Sequence, residues 1–103
     1  MATHLSINTS ERRDGTLVLT ATGEIDLSNI EAFSGALTAA GTDGSLLIVD
    51  LTKVLYLDSG AINVLFANAG RIHLIANPVL MPLLRISGLT EVATVESASR
   101  VED

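Results

Sequence analysis

The feature that most constrains this chain is an unbroken apolar run, Leu46-Leu47-Ile48-Val49, set between two stretches of helical periodicity. On one side, Ile30, Phe33, Leu37 and Ala40 recur at helical spacing; on the other, Ile62, Leu65, Phe66 and Ala69 do the same. Residues 45–51 (SLLIVDL) then read as a strand covered on both faces, the habit of a central strand in a parallel sheet. A strand of that kind needs helical crossovers before and after it, so the chain is predicted to be α/β.

The flanking punctuation completes the pattern. Residues 5–8 and 16–21 read as two strands joined across Arg13-Asp14-Gly15, and Gly23-Glu24-Ile25-Asp26 leads out of the second. Ser28-Asn29-Ile30-Glu31 has the spacing of a capping box, which predicts a helix over 29–40 ended by a left-handed Gly41. After the central strand, residues 52–57 continue extended or turning. A second helix follows over 60–68, capped by Asp58 or Ser59 and stopped at Gly70, with Asn63, Val64, Ala67 and Asn68 on its outer face. Residues 72–76 read as a short strand, 79–87 as a third helix with Pro78 and Pro82 near its start, and 92–95 as a last strand. The expected architecture is one domain over residues 1–103, with its core at about 5–97 and a loose tail at 98–103: a mixed sheet of about four to five strands with three to four helices.

Composition narrows the chemistry. The chain has 103 residues, 48% of them hydrophobic, which argues against disorder. Six basic against twelve acidic side chains give a net charge of −6, and the basic ones are scattered, so a nucleic-acid partner is not expected. With no cysteine and only His4 and His73 as imidazoles, no thiol catalysis, cysteine-bound metal or histidine-rich cage is expected, and no cofactor is implied. The apolar-rich span 61–84 is interrupted by Asn, Arg, His and Pro, so membrane insertion is not expected either. The N-terminal residues lack the pattern of a secretory signal, which points to a cytoplasmic protein.

One polar pair stands out. Asp58-Ser59 ends an extended apolar run and opens a small helix. Capping alone accounts for both residues. The same position would also hold a hydroxyl at a helix N-terminus, where backbone N–H groups and the dipole favour an added anion. Other constellations fit less well. Asp50 at a strand end lacks the acidic pair and lysine of a phospho-accepting receiver. A Ser59–His73–carboxylate hydrolase lacks the glycine-flanked nucleophile elbow, and no phosphate-cradling GxxxxGK[ST] loop is present.

Taken in order, Gly23-Glu24-Ile25-Asp26, Asp50-Leu51-Thr52, Leu57-Asp58-Ser59 and Arg85-Ile86-Ser87-Gly88-Leu89 resemble the STAS domain of bacterial anti-sigma factor antagonists. The resemblance spans about residues 5–97 and implies a non-enzymatic switch. An antagonist of this kind binds an anti-sigma factor that is a serine kinase and so frees a sigma factor. The kinase phosphorylates the serine after the aspartate, and a serine phosphatase reverses the modification. The acceptor position falls on Ser59, and Asp26, Ser28, Asn29, Asp58 and Gly60 fall beside it as implied partner-binding residues. Asn63, Val64 and Ala67 would supply the apolar part of the contact. Two departures are visible: Gly60-Ala61 reverses the family's small-residue and glycine order, and the second helix is shortened. The alternative within the resemblance is a non-phosphorylated STAS interaction module in a scaffold or transport assembly.

Overall fold

The computed structural model describes residues 4–41 and 44–98, and these form five strands and four α-helices. Strand β1 (Leu5–Glu11) turns at Gly15, whose φ of 90° suits a residue without a Cβ, into the antiparallel β2 (Leu17–Ile25). Helix α1 (Ile30–Ala40) then crosses to β3 (Leu47–Leu57), and α2 (Ser59–Ala67) crosses to β4 (Ile72–Ala76). Helices α3 (Met81–Ile86) and α4 (Leu89–Val92) lead to β5 (Thr94–Ser97). The sheet order is β1-β2-β3-β4-β5, with every pair after the first parallel. The expected mixed α/β sheet is therefore the one observed.

This order has a consequence for burial. Each crossover steps one strand in the same direction, and right-handed crossovers that all step the same way place their helices on one face. The core accordingly joins Leu19, Leu47, Val49, Leu51 and Leu74 of the sheet to Phe33, Leu37, Leu65 and Leu84 of the helices. Among the described residues the opposite face has no helix. Its cross-strand rows run Ser10–Val18–Ile48–His73–Thr94 and Asn8–Thr20–Asp50–Ile75–Glu96. Leu47, Ile48 and Val49 are buried on both faces as expected, but helices cover only one of those faces, and the expectation of helices on both is corrected. Ile48 is only 6% exposed, yet it lies outside the core and is shielded by its strand neighbours Val18 and His73. On the same face His73 Nε2 meets Glu96 Oε1 at 2.7 Å. A shallow depression of about 360 Å³ lies there too, lined by Ser6, Ile7, Asn8, Thr20, Thr22 and Lys53.

Several boundaries differ from the sequence expectation. Gly23, Glu24 and Ile25 belong to β2 rather than leading out of it, because Gly23 at φ 120° lets the strand pass the His4 carbonyl closely. The capping box is not formed. Asn29, not Ser28, is the N-cap of α1 and caps nothing with its side chain, while the Ser28 hydroxyl donates to the Asp26 carboxylate at 2.6 Å. Gly41 has φ −111°, so it is no left-handed cap. Its lack of a side chain serves another purpose: a Cβ there would overlap the Arg71 guanidinium, which donates to the Leu37 carbonyl (2.7 Å) and the Asn68 Oδ1 (2.9 Å).

Downstream, α2 ends at Ala67, and a 3₁₀ turn over Ala69–Arg71 takes the place of a stop at Gly70. Pro78–Leu80 is also 3₁₀, so the α-helix expected over 79–87 begins only at Met81. Val92 ends a short helix, and the last strand is Thr94–Ser97, two residues later than expected. The helix intervenes because Gly88, left-handed at φ 89°, starts a new turn rather than closing the chain into a strand. Most of the expected tail lies outside the described residues.

Candidate functional site

The carboxyl ends of β2 and β3 converge, and the site is built there. Beyond Leu51, β3 no longer pairs with β4 and continues alone beside β2. Two register shifts occur in that stretch, so the inward residues change spacing from two (Leu47, Val49, Leu51) to three (Leu51, Val54, Leu57). Such bulges add twist and re-aim a strand end. The strand ends at Leu57, and the N–H of the next residue, Asp58, donates to the Ile25 carbonyl at 3.2 Å and so ties the β3–α2 junction to the end of β2.

Asp58 is the N-cap of α2. Its backbone is extended (φ −93°, ψ −177°), and its Oδ1 accepts from the Ala61 N–H at 3.0 Å. Its carbonyl accepts from the Ile62 N–H at 3.1 Å, which begins the helical ladder. Ser59 follows as the first helical residue. It is exposed, and its hydroxyl has no hydrogen bond to any described residue. The capping and acceptor readings of the pair therefore divide between the two residues: Asp58 caps, and Ser59 stands free beside it.

The Gly60-Ala61 order is accommodated by this geometry. Ala61 is fully buried, so its methyl group fills the core at the third helical position. A Cβ at Gly60 would lie 3.4 Å from the Asp58 Oδ1, at the near edge of ordinary van der Waals contact. Glycine is thus not sterically demanded at position 60, whereas a side chain at 61 is put to use.

The adjacent β2–α1 loop is held by its own side chains. Asp26 Oδ1 accepts from the Ser28 N–H (2.9 Å), and Asn29 Oδ1 accepts from the Asp26 N–H (3.0 Å). Asn29 Nδ2 donates to the Glu24 carbonyl at 2.9 Å. The Ile25–Asp58 bond joins the start of this loop, which carries Asp26, Ser28 and Asn29, to the Asp58-Ser59 junction. Leu27, at the tip of this loop, is 84% exposed.

The second helix agrees less well with expectation. Asn63 and Ala67 are exposed as expected, but Val64 is half-buried and packs against the core. Phe66, expected inside, is partly exposed, because the helix buries Ala61, Ile62 and Leu65 and tilts Phe66 toward Gly88. Large apolar exposure near Ser59 comes instead from Leu27, Leu55 (65%) and Tyr56 (49%). No periodicity marked these three, since two stand in a bulged strand and one in a loop.

Carboxylates predominate around this junction, with Lys53 exposed just before it. Residues 22–31 and 54–63 carry Glu24, Asp26, Glu31 and Asp58 and no Lys, Arg or His. Among the described residues no group of three or more His, Cys, Asp or Glu could hold a metal ion, and no helix is long and apolar enough to cross a membrane. His73 does not join Ser59. Its strand partner Ile48 precedes Asp58 by ten residues of β3, about 30 Å of extended chain.

The STAS domain family model matches residues 9–98, which include every element of this site. The chain belongs to the STAS domain family. No curated protein matches this STAS domain by sequence. Among solved structures, an anti-sigma factor antagonist from Mycobacterium paratuberculosis superposes with a TM-score of 0.82 at 23% identity, covering 89% of this chain and 85% of that one. The anti-sigma factor antagonist SpoIIAA in its unphosphorylated form gives 0.69 at 20% identity, covering 92% and 90%. A DUF3478 protein with a SpoIIAA-like fold, from Shewanella loihica, gives 0.61 at 16%, covering 97% and 89%. At these identities the likeness is one of fold.

Proposed function

We propose that this STAS domain is an anti-sigma factor antagonist, active in the cytoplasm by binding rather than by turnover. Its unmodified form binds a kinase-type anti-sigma factor, and phosphorylation of Ser59 switches it off. The observation that carries this reading is the exposed Ser59 hydroxyl, hydrogen-bonded to no described residue, at the N-terminus of α2 next to the Asp58 carboxylate, on an antagonist-like fold. In the modification, Ser59 Oγ attacks the γ-phosphorus of ATP, the bond to ADP breaks, and the hydroxyl proton passes to a base on the kinase. A serine phosphatase would return the hydroxyl.

Phosphorylation adds about −1.5 to −2 charge at pH 7 to a surface that already carries four carboxylates. The helix N-terminus favours that charge by about 0.3–1 kcal/mol, so the fold tolerates it. Burying it in a contact is different: desolvation and like-charge repulsion cost several kcal/mol. A loss of about 2.8 kcal/mol is a hundredfold in affinity, enough to empty the complex without refolding. Asp26, Ser28, Asn29, Asp58, Gly60, Asn63 and Ala67 form the rest of the proposed contact, with Val64 contributing only its exposed edge.

The test is to incubate the protein with ATP and each kinase-type anti-sigma factor of its own cell, then map phosphate by mass spectrometry. Modification is expected on Ser59 alone. Ser59→Ala should keep binding and block modification, whereas Ser59→Asp should bind at least tenfold more weakly. Undiminished binding by a stoichiometrically phosphorylated protein would overturn the switch.

A further inference from the structure

Leu27 is 84% exposed, yet it is not on a loose loop. The residues on either side of it are locked: Asp26 grips the Ser28 N–H and hydroxyl, and Asn29 grips the Asp26 N–H and the Glu24 carbonyl. Bracing the loop on both sides of an exposed leucine lowers the loop-ordering cost of binding, which favours an interface anchor. Scattered apolar side chains are ordinary on a surface. This one differs in being prearranged beside the acceptor serine.

The Ile25–Asp58 bond sets the distance. Leu27 lies two Cα steps from Ile25 and Ser59 one step from Asp58, so the two Cα atoms are at most about 18 Å apart by that path. A standard interface covers roughly 800 Å² per partner, a patch about 16 Å in radius. A partner centred between Ser59 and Leu27 therefore covers both. Leu55 and Tyr56, on the part of β3 that extends past β4, add exposed apolar surface at the same end.

We infer that Leu27 is the apolar anchor of the partner contact, and that the partner offers it an apolar cleft bordered by Arg or Lys. The basic border follows from the carboxylates Glu24, Asp26, Glu31 and Asp58, which outnumber Lys53, the exposed cation just before residue 54. This rests on the proposed function and adds to it the residue on which affinity depends and the chemistry of the receiving surface.

The experiment measures binding of wild type, Leu27→Ala and Ile86→Ala to the purified kinase-type anti-sigma factors of the same cell by calorimetry. Ile86 is 86% exposed but lies on α3 near Gly88, which abuts Phe66 at the far end of α2, so it serves as an equally exposed control. Leu27→Ala should bind about 20-fold more weakly with an unchanged Tm, and Ile86→Ala should match wild type. Binding should also weaken as salt rises from 50 to 300 mM. If wild type binds and Leu27→Ala binds equally, the anchor is refuted while the antagonist reading stands. If wild type binds none of these kinases, both fall.

Discussion

Asp58 performs two tasks that substitution separates. As N-cap it satisfies the Ala61 N–H, and as a carboxylate it sets the charge beside Ser59. Asp58→Ala should cost about 1 kcal/mol, a fall of roughly 4–8 °C in Tm for a domain of this size. Asp58→Asn keeps an accepting oxygen and should stay within about 0.5 kcal/mol of wild type by urea denaturation. If Asn proves as costly as Ala, the cap is not what the carboxylate supplies. Gly23 is a second decisive residue: at φ 120°, with the His4 carbonyl where a Cβ would stand, Gly23→Ala should cost about 2 kcal/mol or more. Asp14 is a third, smaller case. Its carboxylate accepts from the Thr16 N–H at 2.9 Å, and that bond holds its pKa below the usual value. A depressed folded-state pKa favours the charged form. The small stabilisation is therefore present above the unfolded value and lost as pH falls through the folded one. An NMR titration should place the Asp14 midpoint below 3.8.

At the scale of elements, Arg71 joins two helix ends. Its guanidinium reaches the Leu37 carbonyl in the last turns of α1 and the Asn68 side chain just past α2, through the space that Gly41 leaves open. A cation there also complements the negative ends of both helices. Arg71→Ala should destabilise by about 1–3 kcal/mol. Gly41→Ala should cost a similar amount in the wild-type background, because the new methyl displaces the guanidinium, but little in the Arg71→Ala background. That double-mutant cycle should show about 1 kcal/mol or more of coupling, and additivity would separate the two residues. The bulged half of β3 is the other element that matters. Its inward residues Leu51, Val54 and Leu57 are spaced by threes, and this change of step carries the chain from the sheet to the start of α2 at the angle that exposes Ser59.

For the whole molecule, the proposed modification is a surface event. Ser59 is exposed and outside the core, so charge added there should leave Tm within about 2 °C and confine amide shift changes to the loops around residues 24–29 and 57–62. Wider shifts in Ser59→Asp, reaching β4 or β5, would show that the switch works by rearrangement instead of by repulsion at the contact. The open face of the sheet bears on the same point. With all described helices on one side, the proposed switch surface is at the strand ends, and the bare face carries Ser10, Asn8, Thr20, Asp50, His73 and Glu96 beside Val18, Ile48 and Ile75.

Periodicity and turn chemistry made most of the fold legible. The stripe Ile30–Phe33–Leu37 indicated α1, Ile62 and Leu65 indicated the buried side of α2, and IHLIA marked β4 at its observed limits. These are local signals, written in residues a few positions apart. The order of motifs likewise pointed to the family and to Asp58-Ser59 as the pair to watch. The remaining features depended on residues distant in the chain. Ile48 is indistinguishable in sequence from a strand residue under a helix, and only the direction of the crossovers leaves its face bare. Gly41 resembles a cap until Arg71, thirty residues later, is found in its place. The exposed Leu27 gains meaning only because a hydrogen bond from Asp58 draws its loop beside Ser59. Local spacing determines which segments form; contacts between segments far apart in the chain decide which of their side chains face a partner.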